Sequence, residues 1–252
     1  MRMDIGILLG FIVALFSLII GFLIEGGTLL SLMQLSAAMI VFGGTIGAVI
    51  ISFPINIIKR LPSIIKVSFS NRESDVMAKI QYLKEISFIT RKEGLLSLER
   101  EINKNKMDEF MQKGFQLVVD GVEGTIVKSI LETRLEQIVK RHEDGISMLQ
   151  SAGGYAPTMG IIGTVMGLVQ LVGNLSDPTS LGPKIASAFM ATLYGIASAN
   201  ILWLPIANKL RVLNEKEINE KEMIIEAILL IQEGINPNTL ETKLEGFLDK
   251  KY

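Results

Sequence analysis

Four residues in the apolar second half of the chain have side chains or backbone properties that could do chemistry: Thr164, Thr192, Pro157 and Pro205. Proline has no backbone N–H, so each proline leaves one helix carbonyl without its usual donor. Hydroxyl and carbonyl oxygens are hard ligands that could line a polar path for a cation. Alternatively, each threonine simply bonds the carbonyl four residues before it. The residues alone leave both interpretations open.

The ionisable side chain that an ion path would need is missing from the apolar stretches of this chain. Proton movement through a membrane usually requires an ionisable relay of Asp, Glu or His within the spans. None of the apolar stretches contains such a residue. Either the chain is not an ion pathway, or the carboxylate is supplied by another chain.

The composition favours a membrane protein and not an enzyme. Charged residues make up 20% of the 252 residues, the mean hydropathy is +0.42 and the net charge is −1. A balanced charge does not suggest a nucleic-acid partner. The absence of cysteine and the single histidine, His142, exclude thiol catalysis and Cys-based or His-rich metal sites. We therefore expect no catalytic residue, no metal and no cofactor.

Four apolar stretches are long enough to span a bilayer, which takes about 20 residues. They run from Ile5 to Ile24, from Leu29 to Ile58, from Tyr155 to Leu175 and from Ile185 to Ala207. Sixteen of the twenty-five Lys and Arg residues lie in 59–150 and seven lie beyond residue 207, whereas 25–28 and 176–183 contain none. Because positive charge stays on the cytoplasmic side, both termini and the middle segment are predicted to be cytoplasmic.

The predicted fold is all-α throughout. We divide the chain into spans 1 and 2 (1–58), a cytoplasmic helical domain (59–150), spans 3 and 4 (151–207) and a cytoplasmic helical tail (208–252). The middle domain carries one long helical stripe at spacings of three and four, on which His142 is expected to pack. The stripe consists of Val127, Leu131, Leu135, Ile138, His142, Ile146 and Leu149.

Small residues recur at spacings of four in the spans, which allows close helix packing in lipid. Gly163, Gly167 and Gly195 are the main packing candidates. Similar pairs occur in the first two spans, at Gly6 and Gly10, Gly43 and Gly47, and Gly44 and Ala48. About half of these contacts are expected within one subunit, and the others between subunits.

Three motifs make the chain resemble the MotA/PomA family, the multi-span subunit of the bacterial flagellar stator. They are "RKEGLLSLERE" at 91–101, "YAPTMGIIGTVMGL" at 155–168 and "ATLYG…LPIANKL" within 191–210. The resemblance covers nearly the whole chain. It implies an inner-membrane protein, five copies of which surround two single-span MotB/PomB-type partners. Each partner supplies the membrane aspartate that binds the ion.

The resemblance also implies roles for individual residues. Pro157 and Pro205 match two prolines linked to coupling and torque. Arg91 and Glu99 match a charged pair that contacts the rotor protein FliG, and Thr192 matches a threonine beside the partner aspartate. The implied function is the conversion of ion flow into rotation for swimming motility.

The transported ion stays open at this point. Sodium-type members of the family carry threonine at the position of Thr164, whereas many proton-type members carry alanine. Sodium prefers several oxygen ligands, by analogy with other hard cations, so H+ and Na+ are both considered. The alternative function is an ExbB/TolQ-like energiser of envelope transport, although those proteins have three spans and an external N-terminus.

Overall fold

The computed structural model describes residues 2–71, 75–103, 107–173 and 181–248. These residues are helical apart from turns and one two-residue antiparallel pairing, in which strand β1 (Arg2–Met3) pairs with β2 (Ser70–Asn71). The predicted all-α fold is confirmed. Within these described ranges, four helices are long and apolar enough to cross a membrane.

The first span is helix α1, Ile5–Ile24, with the predicted bounds. Asp4 caps its start by accepting a hydrogen bond from the Gly6 N–H at 2.9 Å. Asp4 also pairs with Lys209 at 2.5 Å, and this ammonium holds the pKa of the Asp4 carboxyl below its usual value. No residue of α1 is buried in the chain. An apolar helix with no buried face is suited to lipid or a neighbouring subunit.

The second span ends before the predicted limit of Ile58. A 3-10 turn (Leu29–Leu32) precedes α2 (Leu35–Ala38), a π-helical turn (Met39–Gly43) and α3 (Gly44–Ser52). Phe53 then leaves the helical region, with φ −127° and ψ 145°. Pro54 is the cause, because a proline drives the preceding residue into an extended conformation. The short helices α4 (Ile55–Ile58) and α5 (Leu61–Ser68) follow.

The third and fourth spans are parts of much longer helices. Helix α9 runs from Gly124 to Val172 and contains both the predicted stripe and most of the predicted third span. Residues 174 and 175 of that span lie outside the described residues. The fourth span comprises α10 (Leu181–Ser198), a π-helical turn (Ala199–Trp203) and the start of α11 (Leu204–Gln232).

The chain divides into two compact units. The membrane unit comprises Met1–Arg72 and His142–Val212, and the polar unit comprises Glu73–Arg141 and Leu213–Tyr252. The polar unit contains α6 (Val76–Glu93), α7 (Leu98–Ile102), α8 (Glu109–Val119), the ends of α9 and α11, and α12 (Pro237–Leu244). Its core includes the buried stripe residues Val127, Leu131 and Leu135.

An ion pair joins α8 to α11 inside the polar unit. Asp108 caps α8 by accepting a hydrogen bond from the Met111 N–H at 2.8 Å and pairs with Lys221 at 2.9 Å. Lys221 is only 8% exposed and lies over the Phe110 ring. Burial raises the pKa of the Asp108 carboxyl, but the Met111 N–H and the Lys221 ammonium outweigh this effect and lower the pKa below its ordinary value.

Asp108→Ala is expected to destabilise the polar unit by about 2 to 4 kcal/mol, because it removes a helix cap and leaves Lys221 buried without this carboxylate. Asp108→Asn keeps the cap and should cost less. A lowered folded pKa contributes stability above the unfolded pKa of about 3.9, and that contribution is lost as pH falls through the folded pKa. The unfolding temperature should therefore fall less steeply between pH 7 and pH 3 in both variants than in the wild type. Equal slopes in the wild type and both variants would contradict this.

Candidate functional site

Two glycines bring the backbones of α9 and α10 into direct contact. A Cβ added at Gly195 would lie 2.5 Å from the Ala156 carbonyl oxygen and 3.1 Å from the Pro157 Cα. A Cβ at Gly160 would lie 2.7 Å from the Ala191 carbonyl oxygen. Main-chain atoms cannot move aside as a flexible side chain does. The third and fourth spans can therefore pack this closely only with glycine at both positions.

The other two predicted packing glycines lie at the same contact. A Cβ at Gly163 would meet the Ala191 Cβ at 2.6 Å, and a Cβ at Gly167 would meet the Ala188 Cβ at 2.6 Å. Gly160 is not among the predicted packing residues, although its spacing of three from Gly163 places it on the adjoining helix face.

The glycine pairs of the first two spans behave differently. Gly10, Gly43 and Gly47 have open space where a Cβ would stand among the described residues. Two glycines of these spans differ: a Cβ at Gly44 would lie 2.7 Å from the Met159 sulfur, and a Cβ at Gly6 would lie 3.1 Å from the Asp4 Oδ1. Spacing alone did not distinguish these two groups.

The close approach of α9 and α10 brings the two candidate threonines together. The hydroxyls of Thr164 and Thr192 lie 2.6 Å apart, and both side chains are half-buried. Thr164 also reaches the carbonyl oxygens of Ala188 at 2.9 Å and Gly160 at 3.2 Å. The local bond to the carbonyl four residues earlier therefore exists, but it is one of several. Four neutral oxygens gather at this point between the helices.

The prolines stand at two different places on these spans. Pro157 is inside α9 at the Gly195 contact, and its missing N–H leaves the Gly153 carbonyl without its helical donor. Pro205 is the second residue of α11, directly after the π-helical turn Ala199–Trp203. Such turns interrupt regular helical bonding and are frequent at functional sites.

Two tyrosines that were not among the predicted site residues connect the second span to the third and fourth spans. The Tyr194 hydroxyl donates to the Leu32 carbonyl and accepts from the Gln34 N–H at 3.0 Å. The Tyr155 hydroxyl lies 2.8 Å from the Ser52 hydroxyl. These bonds hold α2 and α3 against α10 and α9. No sequence pattern pointed to them, because the partners are more than 100 residues apart.

The candidate rotor-contact residues lie in the polar unit. Arg91 is in the last turn of α6 and Glu99 is in the first turn of α7, and both are exposed. Gly94, with φ +83°, ends α6 between them. Within the described ranges neither residue forms an ion pair, whereas their exposed neighbours Glu93 and Arg100 pair with each other.

The site contains oxygens but no cluster of metal-binding side chains. Among the described residues, no group of three or more His, Cys, Asp or Glu side chains could hold a metal ion. In the parts of the four predicted spans that the structure describes, no side chain can ionise near neutral pH. The arrangement can contact a weakly held cation or a carboxylate, but it cannot itself relay a proton.

Comparison with known proteins identifies the family. Residues 102–223 match the MotA/TolQ/ExbB proton channel family, and residues 8–94 match the family described as Motility protein A N-terminal. Motility protein A of Bacillus subtilis (strain 168) is 35% identical over 250 residues, covering 99% of this chain and 92% of that protein. The chain belongs to the MotA/TolQ/ExbB proton channel family. This is an ion channel family and not an enzyme family.

Two solved structures extend the similarity to the fold. The structure of C. jejuni MotAB has a TM-score of 0.94 and 32% identity, covering 99% of this chain and 98% of that chain. The flagellar MotAB stator complex from Bacillus subtilis has a TM-score of 0.91 and 34% identity, covering 96% and 95%. The predicted MotA/PomA resemblance is confirmed. As a member of this family with four apolar helices, the chain is a multi-pass membrane protein.

Proposed function

We propose that this chain is the four-span subunit of a flagellar stator. It joins a single-span MotB/PomB-type partner to form an ion channel and converts ion flow into torque for swimming. The observation that carries this proposal is the Thr164–Thr192 site, where oxygens gather without an ionisable side chain. Such a site needs a carboxylate from another chain. The similarity of almost the whole chain to MotAB structures supports a partner of that kind.

The membrane aspartate of the partner would be placed beside the paired hydroxyls. Thr164 and Thr192 then offer hydrogen bonds to the carboxylate or ligands to its ion. Binding and release of the ion change the charge of the aspartate, and helices that meet through glycine can respond with small shifts. Pro157 and Pro205 would transmit this shift along the spans and so couple ion binding to torque. Five copies of the chain would surround two partner chains, with lipid outside.

The proposed location is the bacterial cytoplasmic membrane, with both termini and the polar unit in the cytoplasm. The asymmetry of Lys and Arg supports this orientation. Arg91 and Glu99 would then be available to the rotor protein FliG. The match of residues 8–94 to the Motility protein A N-terminal family favours a stator over an ExbB/TolQ-like energiser.

Reconstitution into lipid vesicles tests the proposal. We expect no selective ion flux from the purified chain alone, and flux when it is co-purified with a partner bearing a membrane aspartate. Replacing that aspartate by asparagine should abolish the flux. Robust selective flux from this chain alone would contradict the proposal.

The same vesicles decide between H+ and Na+. If Na+ is carried, Thr164→Ala should weaken Na+-dependent flux, because a hydroxyl ligand is lost; if H+ is carried, the effect should be small. Thr158→Ala is a matched control, since Thr158 is exposed on the same helix and its hydroxyl donates only to the local Tyr155 carbonyl, at 2.7 Å. An unchanged Na+ requirement in Thr164→Ala would mean that this hydroxyl only packs.

A further inference from the structure

Helix α5 lies where the spans change from uncharged to charged sequence. The Phe69 carbonyl, directly after α5, accepts a hydrogen bond at 2.9 Å from the N–H of Asp4, the last charged residue before the first span. Asp4 also pairs with Lys209, the first charged residue after the fourth span. Within α5, Ile64 packs on Gly145, where a Cβ would lie 2.8 Å from the Ile64 Cδ1. Gly145 begins the part of α9 without charged residues. Three spans therefore reach their charged ends around α5.

The second span supplies the fourth boundary, so that α5 runs along the membrane surface. The backbone of that span leaves the helix at Phe53, and α4 with the basic residues Lys59 and Arg60 leads into α5. Beyond α5, the pairing of β2 with β1 returns the chain to the start of the first span. Both ends of α5 are thus held at the charged ends of spans. Its eight residues extend only about 12 Å, so the helix stays at the membrane edge.

One face of α5 is packed and the opposite face is exposed. Leu61 and Ile64 pack against buried residues of α9 and α11. Ser63, Lys66 and Val67 lie on the exposed side. The membrane edge is therefore in contact with this second side of the helix.

The exposed side continues the apolar surface of the second span. Ile51, in the last turn of α3, is 88% exposed, and Ile55, four residues later in α4, is 62% exposed. Val67 adds a further exposed apolar side chain on α5. The surface that faces the membrane along the second span thus reaches α5 without a polar break in this row.

Basic side chains accompany these apolar ones. Lys59, Arg60 and Lys66 are exposed, and none of them forms an ion pair within the described ranges. The local sequence adds no negative charge, since residues 26–72 contain no Asp or Glu. Basic residues directly beyond a span, beside exposed apolar side chains, are typical of surfaces that bind anionic lipid headgroups. Their alkyl stems lie along the apolar surface while the charged groups reach the phosphates.

We propose that Lys59, Arg60 and Lys66, with Ile55 and Val67 beside them, form a binding site for anionic phospholipids, which we call the basic face. The three cations contact headgroup phosphates, and the two apolar side chains enter the acyl-chain boundary. Lipid is the occupant because the ends of all four spans place this face at the membrane edge. A bound lipid would hold α5 against α9 and α11. The inference depends on the four spans and not on the stator function.

Quenching by labelled lipids tests this site on the full chain in vesicles. Because the chain has no cysteine, Ser63→Cys can carry a single fluorophore at the centre of the basic face. Ser63 is exposed, and its hydroxyl bonds the local Arg60 carbonyl at 2.7 Å. The vesicles contain phosphatidylglycerol or phosphatidylcholine with a nitroxide quencher near the headgroup. We expect a preference for phosphatidylglycerol of about tenfold or more, since each near-surface cation contributes about fivefold.

Ionic strength checks the electrostatic origin of this preference without changing the basic face. Raising it from about 0.1 M to about 1 M shortens the Debye length from about 10 Å to about 3 Å and should reduce the preference by about threefold or more. Ile24→Cys is the control site, because Ile24 is 80% exposed at the opposite end of the first span, beside Glu25. No preference for phosphatidylglycerol is expected there.

Variants with equal loss of charge separate the basic face from the net charge of the chain. Lys59→Gln, Arg60→Gln and Lys66→Gln together should lower the preference to that of the Ile24 site. Three exposed lysines of α8, α9 and α11 provide the matched control, which should keep the preference: Lys113→Gln, Lys128→Gln and Lys216→Gln. Exposed charges contribute little to folding, so both triple variants should unfold near the wild-type temperature in detergent.

Three results would overturn the proposal. The first is equal quenching by the two lipids at Ser63, and the second is a preference that survives the loss of the three cations. The third is the absence of quenching by either lipid, because a second copy of the chain or another protein would then cover the basic face.

Discussion

Gly195→Ala is expected to stop ion conduction and motility. The new Cβ would lie 2.5 Å from the Ala156 carbonyl oxygen and 3.1 Å from the Pro157 Cα. Because both are main-chain atoms of α9, the clash can be relieved only by moving α9 and α10 apart. Overpacking of this kind costs about 1 to 3 kcal/mol. The same movement would separate the Thr164 and Thr192 hydroxyls, which now lie 2.6 Å apart.

Two measurements check this result against Gly154→Ala as a matched control. Gly154 lies on α9 next to the contact, and a Cβ there would meet nothing within 4 Å. The thermal stability of the purified chain in detergent should fall for Gly195→Ala and stay near wild type for Gly154→Ala. Swimming and ion flux should likewise be lost in Gly195→Ala and stay near wild type in Gly154→Ala. Wild-type stability and flux in Gly195→Ala would mean that the two spans do not need this close contact.

Reversing both charges in Arg91→Glu with Glu99→Lys is expected to abolish rotation without preventing assembly. Exposed charges contribute little to folding stability, and both side chains are exposed without an ion pair in the described part of the chain. Across an interface, however, reversed charges turn attraction into repulsion. Membrane insertion and partner binding should therefore persist while swimming is lost. Compensating reversals on the rotor protein should restore part of it.

The neighbouring ion pair provides the control. Glu93→Lys with Arg100→Glu makes the same kinds of change in the same turn region, but the two residues pair with each other and can pair again after the exchange. This variant should swim. Normal swimming of the Arg91 and Glu99 double variant would show that the two residues are only a solvated surface.

The spans were predictable because hydropathy and flanking charge act on short stretches of chain. Helix α1 has the predicted bounds, since Asp4 and Glu25 enclose a stretch without charge. The apolar stretch of the second span continues past Pro54 to Ile58, whereas the backbone leaves the helix at Phe53. The motifs were sufficient to identify the family, because they depend only on residue type and order.

The sequence by itself determined which residues could pack closely or offer oxygens, and the tertiary structure decided which of them meet. Gly10, Gly43, Gly163 and Gly195 all belong to small-residue patterns, yet only the last two lie at a contact within the chain. The Thr164–Thr192 pair depends on the relative rotation of α9 and α10. Helical periodicity describes one helix at a time. A contact requires the orientation of two, and that orientation is set by packing between residues distant in the chain.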